Sequence, residues 1–238
     1  MATLPIGALL LIAALMASTP LSSWPSFLNV HSMLIVIGGT IAIFAMCTPW
    51  QVVRALIRDL RHLAQRSPEI NDHSAEFEEL SETRRLQRPS TNPLINYAVE
   101  LWDNGTSPDI FHVLLSQRRE KVEGTSAEAV QAMRNMAKYP PALGMTGTVM
   151  GLVSLFLNLS ADNRSAIGPA LGLALTATFF GLIVANGFIM PLSDRLHVAH
   201  MRRRAYMQSC YEIISLVNRR EPTTLIRGEV KDRVAEVA

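Results

Sequence analysis

Two threonines carry the clearest chemical opportunity in this 238-residue sequence. Thr148 lies between Gly144 and Gly151 at spacings of 4 and 3, and Thr178 stands in the series Ala174, Thr178, Gly181, Ala185 at spacings of 4, 3 and 4. Such spacings place each threonine on a stripe of small residues along one helix face. Small residues let helices approach closely, and a hydroxyl in that setting has two uses. It bonds back to a carbonyl one turn earlier and serves packing alone, or it joins nearby carbonyls as a hard oxygen ligand for a small cation, or holds water on a proton path. The pairs Gly147/Gly151 and Gly168/Gly172 add the G-x-x-x-G spacing of close helix contacts. Pro141 and Pro191 flank the two stripes; each lacks a backbone donor and is expected to break a helical hydrogen bond, which marks a candidate hinge as well as a span boundary.

Other chemistries find no footing. There is no nucleotide-binding glycine loop, no H-E-x-x-H metal pair, and no Ser with a His and Asp in a shared setting, so an enzyme is not expected. His197 and His200 share a helix face without carboxylates, which reads as surface decoration rather than a metal site. Cys47 and Cys210 are too few and too far apart for a disulfide framework or a thiolate metal centre. Neither metal nor cofactor is expected. The net charge of +2, from 22 Lys and Arg against 20 Asp and Glu, gives no argument for nucleic acid.

The elements that must position the threonines are apolar. Runs 3–19, 32–49, 142–159 and 166–192 contain no Asp, Glu, Lys or Arg. Seventeen or eighteen residues at about 1.5 Å each just match a bilayer core, so the sequence predicts four transmembrane helices. A cleaved signal peptide is the alternative for the first run, but no basic residue precedes it and no small-x-small cleavage site follows. Residues 51–138 hold twelve Lys and Arg and the tail from 193 holds nine, whereas 20–31 holds none and 160–165 only Arg164. By the positive-inside bias, the long loop, the tail and both termini are cytoplasmic in a multi-pass membrane protein. Arg195 and Arg202 to Arg204 then lie beside anionic lipid headgroups.

The expected organisation is an all-α membrane protein: helices 1 and 2 in residues 1–50, a cytoplasmic helical loop in 51–138, helices 3 and 4 in 139–192, and a cytoplasmic helical tail in 193–238. Val53, Leu56, Ile57, Leu60, Leu63 and Ala64 extend the second span to about Arg66, where Ser67, Pro68 and Asn71 break it. Leu94, Tyr97, Ala98, Leu101 and Trp102 predict a short amphipathic helix ended by Asn104-Gly105, and Ser107-Pro108-Asp109 starts another. Leu196, Ala199, Met207, Cys210, Ile214 and Val217 carry a helix well past the fourth span, whereas the last fifteen or so residues have no clear period. No acid sits in any span, yet a transported cation or proton needs a charge partner at membrane depth. If the chain conducts ions, another chain must supply that acid.

These residues resemble the MotA/PomA stator subunits of the bacterial flagellar motor, within the wider MotA/TolQ/ExbB proton channel group. The resemblance covers most of the chain and is carried by SMLIVIGGT (32–40), PALGMTGTVMGL (141–152) and AIGPALGLALTATFFGLIVANGFIMPLSD (166–194). Two spans, a long loop and two more spans is the MotA order; TolQ and ExbB relatives usually have one span before the loop. The resemblance implies a pentameric ring of A subunits around two MotB/PomB-like single-span subunits, each with a membrane Asp that binds the ion. It implies that Thr148 and Thr178 face the ion pathway and that Pro141 and Pro191 take part in conformational cycling. The glycines Gly144, Gly147, Gly151, Gly168, Gly172 and Gly181 then serve helix packing within the ring.

The implied function is an ion-driven rotary stator channel that couples Na+ or H+ flow to torque. Flagellar members have an Arg followed eight residues later by a Glu that meets the rotor; here Arg84, Arg85 and Arg88 are followed at that distance by Asn92, Pro93 and Asn96. Those arginines remain the rotor or partner contact, with the flagellar rotor or another cytoplasmic partner. The alternatives are a TolQ/ExbB-like energiser of an envelope process and a non-flagellar MotA-like motor. Sodium-driven relatives keep Thr at both positions, which tilts the cation towards sodium. They usually have a Thr pair in the fourth span, however, and here Ala177 precedes Thr178 while Thr176 points about 160° away.

Overall fold

In the computed structural model, residues 3–18, 29–63, 70–158 and 167–237 are described, and every regular element among them is helical. In chain order these are α1 (Thr3–Ser18), α2 (Val30–Cys47, with a π-helical stretch at Leu34–Gly38), α3 (Trp50–His62), a 3-10 turn (Ile70–His73), α4 (Ser74–Thr83), α5 (Pro93–Asp103), α6 (Pro108–Met136), α7 (Tyr139–Asn158), α8 (Ile167–Ile183), a π-helical stretch (Val184–Ile189), α9 (Met190–Asn218) and α10 (Thr223–Val237). Two units divide the chain: residues 1–64 with 128–197, and residues 65–127 with 198–238. The expected loop at 20–28, the break at Ser67-Pro68 and the connection through Arg164 lie outside the described residues.

The first unit holds the apolar helices. Val30–Cys47 and stretches within Pro108–Leu157 and Ile167–Asn218 are long and apolar enough to cross a membrane. α1 contributes 16 described residues, about 24 Å of helix. Only 17% to 28% of each apolar window is buried within the chain. Phe156 and Leu157 stand 70% and 81% exposed. An apolar surface this extensive requires lipid or other chains to cover it.

α2 begins at Asn29, whose side-chain oxygen accepts from the backbone N–H groups of His31 and Ser32. It ends where Thr48 turns extended before Pro49. The residue before a proline avoids the helical region, so the expected unbroken run to about Arg66 is two helices. Beyond the break, α3 buries Val52, Ala55 and Leu56 with Ala129, Val130, Met133 and Leu196.

The second unit packs α4, α5, α10 and the portions of α6 and α9 within it around Phe77, Leu80, Leu94, Ile95, Phe111, Leu115, Ile213 and Ile214, all fully buried. Each large apolar side chain removed from water contributes about 1.5–3 kcal/mol. Asn92 caps α5 by accepting from Leu94 N–H, with Pro93 in the first turn. At the other end Thr106 N–H reaches Leu101 O and Gly105 N–H reaches Trp102 O, with Gly105 at φ +67°. That is a Schellman ending, and its left-handed residue is why glycine stands there. α4 and α10 have no counterpart in the sequence reading, because each offers so little apolar pattern: among the described side chains of α10, Ile226 and Val230 enter the core.

Candidate functional site

The two threonine stripes face each other. A Cβ built on Gly144 would fall 2.9 Å from Ala177 O and 3.1 Å from Thr178 Cα; on Gly151, 2.8 Å from Ala170 O and from Ala174 N; on Gly181, 2.5 Å from Pro140 O. Partners on α8 descend as positions on α7 rise, so the helices run antiparallel. Backbone lies against backbone, and only glycine permits that approach. Gly147 joins the same seam, against the Ala177 methyl. Gly168 and Gly172 do not: nothing lies within 4 Å of a Cβ at either, and both face away from α7.

Within the seam, Thr148 and Thr178 hydrogen-bond through their hydroxyls. Thr148 Oγ1 also lies 3.1 Å from Gly144 O and 3.2 Å from Ala174 O, and Thr178 Oγ1 lies 3.3 Å from Gly144 O. Two hydroxyl protons are thus shared among four oxygens drawn from two helices. Both sequence readings of the hydroxyls meet here, since the same groups bond back to the preceding turn and form an oxygen cluster. Both threonines are half-buried, which leaves the cluster open on one side. No group of three or more His, Cys, Asp or Glu is placed to hold a metal among the described residues.

A second hydroxyl pair clamps α8 from another direction. Ser32 Oγ and Thr176 Oγ1 lie 2.6 Å apart, with Ser32 also donating to Leu173 O at 3.2 Å and Thr176 to Gly172 O at 2.6 Å. Both residues are buried. Sequence reasoning missed this pair; the signal was Thr176 itself, whose direction away from Thr178 points it at α2.

The two prolines occupy different settings. Pro141 is the third residue of α7, in a first turn whose N–H groups have no intrahelical acceptor. It therefore breaks no helical hydrogen bond, contrary to the sequence expectation. Pro191 is the second residue of α9, directly after the π-helical stretch, where Met190 N–H already reaches back five residues to Ala185 O. The missing donor falls where helical register has changed, so the helix continues through Pro191 to Asn218.

The three arginines also separate. Arg84 ends α4 in the left-handed region at φ 56° and turns inward, donating from one terminal nitrogen to Val217 O and Asn218 O, both at 2.9 Å. Its guanidinium sits 5.7 Å from the centre of the Trp102 ring. Burial, and then the neighbouring charge of Arg220, hold Arg84 below its usual basicity. Arg85 pairs with Asp103 at 3.4 Å on the surface, and Arg88 is exposed.

The same unit contains a buried polar chain that the sequence did not signal. Asn92 donates to Tyr206 Oη at 2.8 Å and to Cys210 Sγ at 3.4 Å, and Tyr206 Oη lies 3.1 Å from His73 Nδ1. Burial pushes the Cys210 thiol up to about 12 and moves Tyr206 upward as well.

Comparison with known proteins places this geometry. The family model described as the MotA/TolQ/ExbB proton channel family matches residues 82–209. The chain is 28% identical to chemotaxis protein PomA of Vibrio alginolyticus over 178 residues, 71% of this chain and 70% of that one. It is 24% identical to motility protein A of Aquifex aeolicus over 216 residues, 86% and 84% of the two chains. Two solved structures share the fold at 18% identity and a TM-score of 0.80. The C. jejuni MotAB structure matches over 98% of this chain and 95% of that one; the flagellar MotAB stator complex from Bacillus subtilis matches over 100% and 99%.

Proposed function

The chain belongs to the MotA/TolQ/ExbB proton channel family, and from that premise we propose that it is the A subunit of an ion-driven stator in the bacterial inner membrane. In this reading four spans cross the bilayer, with residues 51–138, 193–238 and both termini on the cytoplasmic side. Five copies surround two MotB/PomB-like single-span chains, and cation flow turns the ring. The chain acts as a channel wall and carries no catalytic residue.

The observation that carries the proposal is the Thr148–Thr178 oxygen cluster, set in a glycine-tight helix pair without an acid in its apolar runs. A cation crossing at that depth needs a negative partner, so the ring must borrow one, and a lone Asp on each enclosed helix supplies it. The hydroxyl and carbonyl oxygens then replace part of the ion's water shell. Sodium needs several oxygens at defined distances, whereas a proton needs only the carboxylate and a water chain. Four clustered oxygens therefore favour sodium.

Motion is assigned to the helix ends. Pro141 and Pro191 flank the rigid seam, and the π-helical stretch before Pro191 offers a register that can tighten or widen as the Asp gains and loses its ion. On the cytoplasmic side, Arg85 and Arg88 present charge to the rotor, while Arg84 holds the unit together. The absence of an acid eight residues beyond these arginines supports a second reading of the partner, in which the ring drives a non-flagellar machine or energises an envelope process as TolQ and ExbB relatives do.

Co-expression with the single-span chain, followed by native mass measurement, tests the assembly: five to two is expected, and a stable monomer beside that chain would refute it. Motor output should depend on external sodium, and Thr148→Ala should weaken that dependence. Output unchanged in sodium-free medium yet abolished by a protonophore would assign protons.

A further inference from the structure

The second unit contains a cleft of about 790 Å³ whose Arg219 and Arg220 have no role in the stator reading. Arg84, Arg85, Arg219 and Arg220 line it against a single carboxylate, Asp103, which is already paired with Arg85. Three guanidinium groups therefore line the cleft without a counter-charge from the described residues. Arg84 and Arg220 oppose one another closely enough that Arg220 lowers the basicity of Arg84. Both adopt left-handed backbone, at φ 56° and 60°, where glycine is the usual occupant. At the floor, Asn218 is nine-tenths buried; its oxygen accepts from Trp102 Nε1 at 3.0 Å, while its Nδ2, shielded from solvent, has no acceptor. Thr106 adds a hydroxyl to the same wall.

From this convergence we infer that the cleft binds a small molecule bearing a pyrophosphate group. A single carboxylate would neutralise one arginine, whereas pyrophosphate brings two or three negative charges and enough oxygens for forked contacts to several guanidinium groups. The volume exceeds that of pyrophosphate alone and leaves room for an attached organic group. The Trp102 ring is already engaged by Phe111, stacked at 5.3 Å, and by the Arg84 guanidinium at 5.7 Å, so recognition rests on charge.

The test uses the full chain purified in detergent micelles, without any partner, so its outcome is separate from that of the motor proposal. Isothermal titration with inorganic pyrophosphate and with ADP should give saturable binding at one site per chain. Their relative affinities distinguish an inorganic ligand from a nucleotide. Arg219→Gln and Arg220→Gln should each weaken binding about tenfold or more, the loss expected for one charged hydrogen-bond donor. Arg88→Gln, outside the cleft, should leave the affinity unchanged. Arg220→Gly removes the same charge at a backbone position that glycine favours, so a binding loss there is not a folding failure. No saturable binding of either probe, or equal affinity in the arginine variants, would overturn the inference. So would displacement of pyrophosphate by hexaglutamate more readily than by orthophosphate, which would make the cleft a docking site for acidic protein.

Discussion

Replacing Gly151 by alanine tests the seam most directly, because the added methyl meets main chain. It would lie 2.8 Å from Ala170 O, Ala174 N and Ala174 Cβ, where ordinary contact begins at 3.4 Å, so the helices must separate by about 0.6 Å. Overpacking of this kind costs about 1–3 kcal/mol, offset by at most about 1 kcal/mol of helix propensity. Gly168→Ala on α8 supplies the control: no atom lies within 4 Å of its Cβ, so only the propensity gain remains. The propensity gain cancels between the two variants, so their difference should be the overpacking cost of about 1–3 kcal/mol, near 5- to 150-fold in the unfolding equilibrium. Thermal unfolding of the chain in detergent, held monomeric and checked by light scattering, should separate their midpoints by about 2–12 °C, with Gly151→Ala the lower. Equal midpoints, or a more stable Gly151→Ala, would mean that α7 and α8 do not touch through this seam.

Pro191→Ala restores a donor next to the π-helical stretch and should let the helix retighten, leaving stability unchanged or slightly raised while ion-driven output falls; normal output would remove its hinge role. Pro141→Ala should change stability by less than about 0.5 kcal/mol, since its new N–H has no intrahelical acceptor. Of the two thiols, exposed Cys47 should react with maleimide in the native chain and Cys210 only after unfolding, because a pKa of about 12 leaves roughly 10⁻⁴ of it ionised at pH 8. As that value is raised from an ordinary 9.0, the contribution to stability is complete below pH 9 and is lost as pH climbs towards 12, which a pH series of thermal midpoints will show. Arg84→Ala removes both bonds to the end of α9 and, discounted for partial exposure, should destabilise the second unit by about 1–2 kcal/mol, read as faster amide exchange near Val217.

What was legible in the sequence follows from how many residues share one signal. The Gly144, Thr148, Gly151 stripe and its partner on α8 repeat over several turns, and the structure joins them. The end of α5 is legible because Asn104-Gly105 acts locally, through a left-handed residue, whereas its Asn92 cap is not read as a start. The break after Cys47 is hidden in the apolar pattern, which continues across Pro49, and only the backbone restriction before that proline marks it. α10 has no clear period because its described core contacts, Ile226 and Val230, belong to a core that other elements supply. The inward turn of Arg84 and the Ser32–Thr176 pair depend on residues more than 130 positions away, beyond the reach of any local pattern.

The hydroxyl pairs also determine which surface of α8 is left for other chains. At about 100° per residue, Thr178 lies with Ala170, Ala174, Ala177 and Gly181 on the side that meets α7, while Thr176, two positions away, is turned by about 200° towards α2. Gly168, Gly172, Leu175 and Leu182 fall on the remaining side, where Leu175 is 70% exposed and a Cβ at either glycine would meet no described atom within 4 Å. A helix fixed on two sides by hydroxyl bonds cannot rotate to hide its third. Small residues at 168 and 172, bordered by leucines, have the form of a helix-contact surface with its partner missing. In a ring, that surface is available to a neighbouring copy or an enclosed helix, and the Thr148–Thr178 seam cannot move independently of it. Gly172→Leu should accordingly leave the isolated chain folded but abolish ring assembly, whereas Gly151→Leu should unfold the subunit itself. If both variants assembled normally, the third face of α8 would be a lipid surface and not an interface.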